Sequence, residues 1–175
     1  MTDQLDAYGK LDGATLTIQR RLPGPIERVW SYLTESDLRR QWLAAGDMKL
    51  QAEGPFELVW RNDELSEAGQ RPEGFPEEQR LAGRVKAAEP PHKLVITWGE
   101  DGEVSFDLKP VGNSVVLTLV HRRLPGEAVL PISAGWHTHL DILAARAAGD
   151  KPQPFWPTWQ ALRQEYEARF AKPAA

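Results

Sequence analysis

The chain has 175 residues, a length that suits one domain of ordinary size. It contains no cysteine, which excludes disulfide bonds, a thiol nucleophile and any zinc site built on sulfur. Its net charge of −4 argues against nucleic acid and anionic membranes as partners, and its seven tryptophans are the one unusual feature of the composition.

The N-terminal segment, Met1 to Gly9, is polar and acidic and lacks the basic and apolar regions of a signal peptide. No segment is apolar over enough residues to span a bilayer. We therefore expect a cytoplasmic protein. Residues 1–12 are predicted to form a mobile or loosely docked tail.

The first regular elements are a strand and two short helices. The strand is predicted around Ile18, where apolar and polar residues alternate. Pro25 suits the start of a helix that carries Trp30. A second short helix is predicted with Ser36 as its N-cap and Trp42 on its apolar side. Both tryptophans are expected to pack these helices against one end of a sheet.

Alternation of apolar and polar residues then predicts a series of strands. Their apolar positions fall within residues 48–50, 56–60, 81–85, 94–98, 104–108 and 115–121. The Glu-Asp-Gly and Gly-Asn sequences at 100–102 and 112–113 are typical of hairpin turns. Such short connections indicate an antiparallel meander with one buried side and one solvent-facing side.

The segment 61–79 interrupts this meander and differs from it in composition. It is acidic and contains several glycines and prolines, which predicts a long irregular loop. Loops of this length are uncommon in compact domains and are often functional. We expect this loop to act as a lid.

The last third of the chain is predicted to be helical. A long helix begins near Ser133 and ends before Gly149, which suits the C′ position. A second helix runs from about Pro157 to Ala171. The apolar positions of the second helix are Phe155, Trp159, Leu162, Tyr166 and Phe170. This helix either packs on its own domain, which we expect, or forms the interface of a homodimer.

This order of elements predicts an α+β fold. The long helix must cover the apolar side of the sheet, because no other element can bury it. A curved antiparallel sheet of six or seven strands wrapped around one helix is the helix-grip fold, with a cavity between sheet and helix. We expect a single domain over residues 1–175, with a core of about 15–148 and a helical extension over 150–175.

Several short sequence motifs occur in an order that resembles a known superfamily. They are Pro25-Ile26-Glu27-Arg28-Val29-Trp30, Gly54-Pro55-Phe56, Gly83-Arg84-Val85, Pro91-His92-Lys93-Leu94-Val95-Ile96-Thr97-Trp98, Leu117-Thr118-Leu119-Val120-His121 and Gly135-Trp136-His137-Thr138-His139-Leu140. Over roughly residues 15–148 the chain resembles the SRPBCC (START-like) superfamily and, within it, the homologues of the activator of heat-shock protein 90 ATPase. The resemblance implies the helix-grip fold. The superfamily includes lipid carriers, plant hormone binders and polyketide cyclases, so the fold alone does not select a function.

The candidate binding site is the cavity between sheet and helix. Its predicted lining residues are Trp60, Trp98, Phe106, His121, Trp136, His139, Leu140 and Leu143. Tryptophans on inward-facing positions are expected to form rigid walls for a flat or apolar ligand. His121 ends a strand on the inward side, where it either binds a ligand or is a core histidine that pairs with a backbone carbonyl.

Other polar residues offer weaker candidate sites. His137 and His139 cannot share a metal ion on a helix, because residues two apart point in opposite directions. His137 and Asp141 are four apart, but two ligands are too few, so we expect a solvated pair and neither a metal nor a cofactor. Arg20 is a candidate anchor for an acidic ligand, whereas Arg84 is predicted to face outward.

Three functions follow from these observations. The leading hypothesis is non-catalytic binding of a small apolar or amphipathic molecule in the cavity. The second is a chaperone-associated protein-interaction module, which predicts a filled core. The third is a cyclase-like or hydrolase-like enzyme with His121 as general base, which requires a partner that orients the base. The sequence has no nucleophile elbow, phosphate-binding loop or dinucleotide motif, so we expect a protein that is not an enzyme.

Overall fold

A computed structural model describes residues 5–171 and confirms the α+β helix-grip fold. The strands are β1 (Lys10–Asp12), β2 (Thr15–Pro23), β3 (Pro55–Trp60), β4 (Gln79–Glu89), β5 (Lys93–Trp98), β6 (Gly102–Val111) and β7 (Ser114–Arg122). The helices are α1 (Ile26–Thr34), α2 (Ser36–Arg39), α3 (Val129–Ala148) and α4 (Phe155–Ala171).

The strands form one curved antiparallel sheet in the order β1-β2-β7-β6-β5-β4-β3. Strands β3 to β7 follow one another across the sheet as the predicted meander, and β2 pairs with the far side of β7. The register of β4 shifts between Val85 and Ala87, where an irregularity of this kind increases the local bend and twist. The inward-facing residues of the sheet and the buried side of α3 form one hydrophobic core.

Helix α3 lies against the sheet, and α4 packs on α3. Both helices begin earlier than the sequence predicts, at Val129 and Phe155, with a proline in the first turn. Proline is tolerated there because the first turn leaves its N–H groups without helical partners. Gly149 follows α3 in the left-handed conformation with φ of 76°, as predicted.

Of the two predicted alternatives, a mobile or a loosely docked tail, the structure shows a docked segment over residues 5–12, while residues 1–4 lie outside the described residues. Strand β1 pairs with β2 at the edge of the sheet. The ring of Tyr8 packs against His137 and Tyr166, with ring centroids 4.9 and 5.6 Å apart. The N–H of Gly9 donates to the hydroxyl of Tyr166 at 2.7 Å. A segment too short to show alternation is thus held by side chains distant in sequence.

Two predictions in the segment between α1 and β3 are also wrong. Residues 48–50 form no strand, and Met48 makes only an isolated bridge with Phe56. Ser36 is the first residue of α2 and does not cap it. Its Oγ instead accepts a hydrogen bond from the N–H of Gly46 at 2.9 Å. Three residues of alternation are too few to define a strand.

Buried Arg39 organises this end of the sheet, a role that the sequence did not indicate. Its guanidinium donates to three main-chain carbonyl oxygens, those of Leu33, Ala44 and Gly46. Burial lowers the pKa of Arg39 to about 10, so the side chain stays charged at neutral pH. Trp42 is fully buried beside it and donates its indole N–H to a main-chain carbonyl of α1 at 2.8 Å. The predicted packing of Trp42 against the core is confirmed.

Candidate functional site

A cavity of about 550 Å³ opens at one end of the interface between the sheet and α3. Its walls come from the ends of β3 and β5, the start of β4, the first half of α3, the start of α4 and the loop between β3 and β4. Most of the large lining side chains are aromatic: Trp60, Phe75, Trp98, Trp136, Phe155, Trp156 and Trp159. The polar lining residues are Asn62, Gln79, Arg80 and His139.

Three of the tryptophans form a continuous series from the mouth of the cavity to the core. The ring centroids of Trp60 and Trp98 lie 5.6 Å apart, and those of Trp98 and Trp136 lie 5.4 Å apart. Trp60 and Trp98 are half-buried, whereas Trp136 is buried. All three were predicted to line the cavity, and the structure brings them together there.

The start of α4 forms a second aromatic wall that the sequence analysis only partly found. Trp156 directly follows Phe155 and was not among the predicted apolar positions of this helix, yet it is buried. Its indole N–H donates to Asp63 at 2.9 Å, and that of Trp159 donates to the carbonyl of Pro131 at 3.1 Å. The adjacent aromatic residues Phe155 and Trp156 at the start of the helix were the sequence feature that could have indicated this wall.

The loop between β3 and β4 lies over this second wall. The ring centroid of Phe75 is 5.3 Å from both Trp156 and Trp159. The hydroxyl of Ser66 accepts a hydrogen bond from the main-chain N–H of Trp156 at 3.0 Å, and Arg71 forms an ion pair with Asp63. The predicted irregular loop is therefore docked on α4 at the edge of the cavity.

Four of the predicted lining residues lie elsewhere. Phe106, His121, Leu140 and Leu143 are buried but are not among the residues that line the cavity. Phe106 and the two leucines belong to the packed core, where side chains fill the space between sheet and helix. The cavity therefore occupies only one end of the predicted interface, because the middle of that interface is filled.

His121 is a paired core histidine. Its Nδ1 accepts a hydrogen bond from the indole N–H of Trp136 at 3.0 Å. In the neutral ring the hydrogen must then be on Nε2. Burial lowers the pKa of His121 to about 4. A general base needs a free lone pair, so this arrangement argues against the enzymatic hypothesis for His121.

His139 lies on the cavity wall, as predicted, and is almost completely buried. Its Nδ1 is 2.8 Å from the carbonyl oxygen of Trp42, and its ring stacks on Phe155 with centroids 4.6 Å apart. Burial lowers the pKa of His139 to about 4, so the ring is neutral at physiological pH.

The expected solvated pair of His137 and Asp141 is solvated only on one side, because His137 is buried while 48% of the Asp141 side chain is exposed. His137 Nδ1 lies 2.8 Å from the hydroxyl of Tyr166, and its Nε2 lies 3.3 Å from Asp141. Arg20 is buried and forms an ion pair with Asp141 at 2.9 Å, so it is not free to anchor a ligand. Although burial raises the pKa of Asp141, His137 and Arg20 hold it below its usual value. Spacing alone could not reveal that Tyr166 covers His137.

Two further observations bear on the class of site. Within residues 5–171, no group of three or more His, Asp or Glu side chains is placed to share a metal ion. In the same range no helix is long and apolar enough to cross a membrane. Arg84 is exposed, as its position in β4 predicts.

Comparisons with solved structures reveal close structural relatives. A Bordetella parapertussis protein, BPP1335, is 37% identical, with 97% of this chain and 95% of that chain covered and a TM-score of 0.77. CalU16 from Micromonospora echinospora is 21% identical over 94% of this chain and 96% of that chain, with a TM-score of 0.67. EF2215 of Enterococcus faecalis, a conserved protein of unknown function, is 19% identical over 93% of this chain and 88% of that chain, also with a TM-score of 0.67.

No curated protein matches the chain significantly. The family model described as "Activator of Hsp90 ATPase homolog 1-like protein" matches residues 23–148. This range begins at the last residue of β2 and ends with the last residue of α3. The chain therefore belongs to the family of activator of Hsp90 ATPase homolog 1-like proteins, within the SRPBCC fold.

Proposed function

We propose that this protein binds a small apolar or amphipathic molecule in the cavity at the end of the sheet, without converting it chemically. The observation that carries the proposal is a cavity of about 550 Å³ lined by five tryptophans. Ligand sites of roughly 300–1,000 Å³ with apolar walls and a few polar groups are typical of small-molecule binding proteins.

The walls favour a flat ligand without a large charge. Tryptophan side chains offer broad rigid surfaces that stack on planar molecules. Arg80 is the charged residue among the lining side chains, and its guanidinium is engaged by Glu57 and Glu78, each at 2.8 Å. An uncharged aromatic or polycyclic molecule therefore suits the cavity better than an anion.

The two other hypotheses have less support. A protein-interaction module of the kind suggested by the family description was expected to have a filled interior, and the cavity counts against this expectation. The enzymatic hypothesis relied on His121, whose lone pair on Nδ1 is already engaged by Trp136. Both remain alternatives that the following experiment addresses.

Gly135 provides a direct way to block the cavity. It lies in α3, lines the cavity, and a Cβ added there meets no atom within 4 Å. A Gly135→Leu substitution therefore places a side chain in open space and also improves helix propensity. Gly126 lies outside the cavity in an exposed turn with the same free space around a Cβ, so Gly126→Leu is the matched control.

The measurement is a fluorescence titration with Nile red, an uncharged polycyclic dye. We expect saturable binding to the wild-type protein and to Gly126→Leu, and at least tenfold weaker binding to Gly135→Leu. Circular dichroism and thermal unfolding should show that both variants remain folded. Absence of saturable binding to the wild type, or equal binding to a folded Gly135→Leu variant, would contradict the proposal.

A further inference from the structure

Two polar atoms on residues that line the cavity have free hydrogen-bonding capacity, and both are acceptors. The carbonyl oxygen of Trp42 can only accept, so the His139 Nδ1 that lies 2.8 Å away must carry the ring hydrogen. In the neutral ring Nε2 then bears a lone pair. Among residues 5–171 no group donates a hydrogen bond to it.

Asn62 supplies the second acceptor. It lies in the turn that follows β3 and also lines the cavity. Its Oδ1 is buried and has no hydrogen-bond partner among the described residues. A buried polar atom without a partner is unfavourable by about 1–3 kcal/mol, so a ligand that supplies a donor gains from pairing with it.

Several indole donors near the cavity are already engaged within the protein. The N–H group of Trp136 donates to His121, that of Trp156 to Asp63 and that of Trp159 to a main-chain carbonyl. The indole N–H groups on α3 and α4 are therefore not available to a ligand, whereas the His139 acceptor on α3 is.

We propose that His139 is the specificity-determining residue of the cavity and selects uncharged flat ligands that carry a hydroxyl or N–H donor, with Asn62 as a second acceptor. This inference rests on the proposed binding function and adds the chemistry by which a ligand is chosen. His139 holds its acceptor rigidly, because its ring is fixed by Trp42 on one side and by Phe155 on the other. The hydrogen bond forms only with ligands that reach the α3 wall.

A matched pair of probes tests this inference. 2-Naphthol carries a hydroxyl donor, whereas 2-methoxynaphthalene has the same ring system without one. We expect the wild type to bind 2-naphthol roughly two- to tenfold more tightly, the range of one net hydrogen bond. His139→Asn keeps an amide donor near the position of Nδ1 but removes the Nε2 acceptor. In this variant the preference for 2-naphthol should disappear.

The controls separate the inference from the proposed function. His92 is exposed and outside the cavity, so His92→Asn should keep the preference of the wild type. If the wild type binds both probes equally, or if His139→Asn keeps the preference, this inference is overturned while cavity binding stands. If neither these probes nor Nile red binds, both fail together.

A measurement on the wild type keeps the inference testable if His139→Asn does not fold. Nitrogen-15 NMR of the histidine rings distinguishes a protonated from an unprotonated ring nitrogen. We expect Nε2 of His139 to be unprotonated and to shift when 2-naphthol is added, but not when 2-methoxynaphthalene is added. A protonated Nε2, or the same shift with both probes, overturns the inference.

Discussion

Two inward-facing histidines, His121 and His139, have opposite tautomers because their partners differ. An indole N–H donates to Nδ1 of His121, whereas Nδ1 of His139 donates to a carbonyl oxygen. As a result His121 presents a donor at Nε2 and His139 presents an acceptor there. The same residue type thus performs two different tasks within one domain.

These two histidines predict a dependence of stability on pH. Burial lowers the pKa of each to about 4 in the folded protein, against about 6.5 in an unfolded chain. Between these values the unfolded chain binds more protons, so the free energy of unfolding decreases as pH falls from 6.5 to 4. The expected loss is on the order of 3 kcal/mol for each histidine across this window.

Urea unfolding at pH 7, 5.5 and 4.5 checks this expectation. A His121→Gln variant should lose part of the pH dependence, because glutamine does not titrate. A His92→Asn variant should keep all of it, because His92 is exposed. A free energy of unfolding that stays constant between pH 6.5 and 4.5 would contradict the assignment of two neutral buried histidines.

The contacts that single residues make with distant elements could not be predicted from the sequence. Alternation in β7 correctly placed His121 on the inward side of the sheet. It could not identify Trp136 as the partner, because that contact depends on how α3 lies across the sheet. In the same way, nothing near Asp141 in sequence indicates that Tyr166 covers its histidine partner from another helix.

At the scale of elements, the hydroxyl of Tyr166 joins α4 to two other parts of the domain, in addition to the contacts made by the start of the helix. The hydroxyl of Tyr166 accepts from the N–H of Gly9 and lies 2.8 Å from Nδ1 of His137, so it links the N-terminal segment, α4 and α3. Burial raises the pKa of Tyr166 to about 12, so the hydroxyl keeps its proton. The start of the same helix lines the cavity.

Removal of this hydroxyl should destabilise the protein. A Tyr166→Phe substitution leaves the Gly9 N–H and a histidine nitrogen unpaired in a buried place, with an expected loss of about 1–3 kcal/mol in the free energy of unfolding. Tyr8→Phe is the matched control, because Tyr8 contributes its ring to the same cluster. Chemical denaturation compares the two, and equal losses would show that the hydroxyl network contributes nothing particular.

The loop over the second aromatic wall should control how fast a ligand leaves. Phe75 is 37% exposed and contacts the rings of Trp156 and Trp159 at the edge of the cavity. A Phe75→Ala substitution should weaken the docking of the loop, so that Nile red dissociates several-fold faster while thermal stability changes little. Stopped-flow fluorescence measures the rate.

Leu50 offers the control for the loop experiment. It is 38% exposed and lies outside the cavity lining, so Leu50→Ala removes a similarly exposed apolar side chain elsewhere. The dissociation rate should stay at the wild-type value in this variant. A rate that is unchanged in Phe75→Ala would mean that the loop does not act as a lid.

Element prediction succeeded where the pattern was long and failed where it was short. Strands β5, β6 and β7 each show several alternating apolar positions, and all three were predicted. Strand β1 has three residues and depends on pairing with β2, so no local pattern in the sequence indicates it. The bounds of α3 and α4 shifted because a proline in the first turn does not end a helix.

At the scale of the whole molecule, the helix-grip fold follows from the order of elements, but the position of the cavity does not. The sequence predicts that the apolar side of a curved sheet faces one long helix. Whether that space is filled depends on how side-chain volumes from distant elements add up. Here the core residues fill the middle, and the tryptophans around the sheet end leave the cavity open.

The seven tryptophans permit one direct test of the central claim, that this cavity binds a ligand. Five of them line the cavity, whereas Trp30 and Trp42 are buried outside it. Protein labelled with 5-fluorotryptophan gives one fluorine-19 NMR signal for each, assigned by substitution of single tryptophans with phenylalanine.

On titration with 2-naphthol, the account predicts saturable shifts of the five cavity signals: those of Trp60, Trp98, Trp136, Trp156 and Trp159. The signals of Trp30 and Trp42 should stay in place. Five unchanged cavity signals at saturating probe, or a shift of Trp30 as large as that of Trp60, would contradict the account.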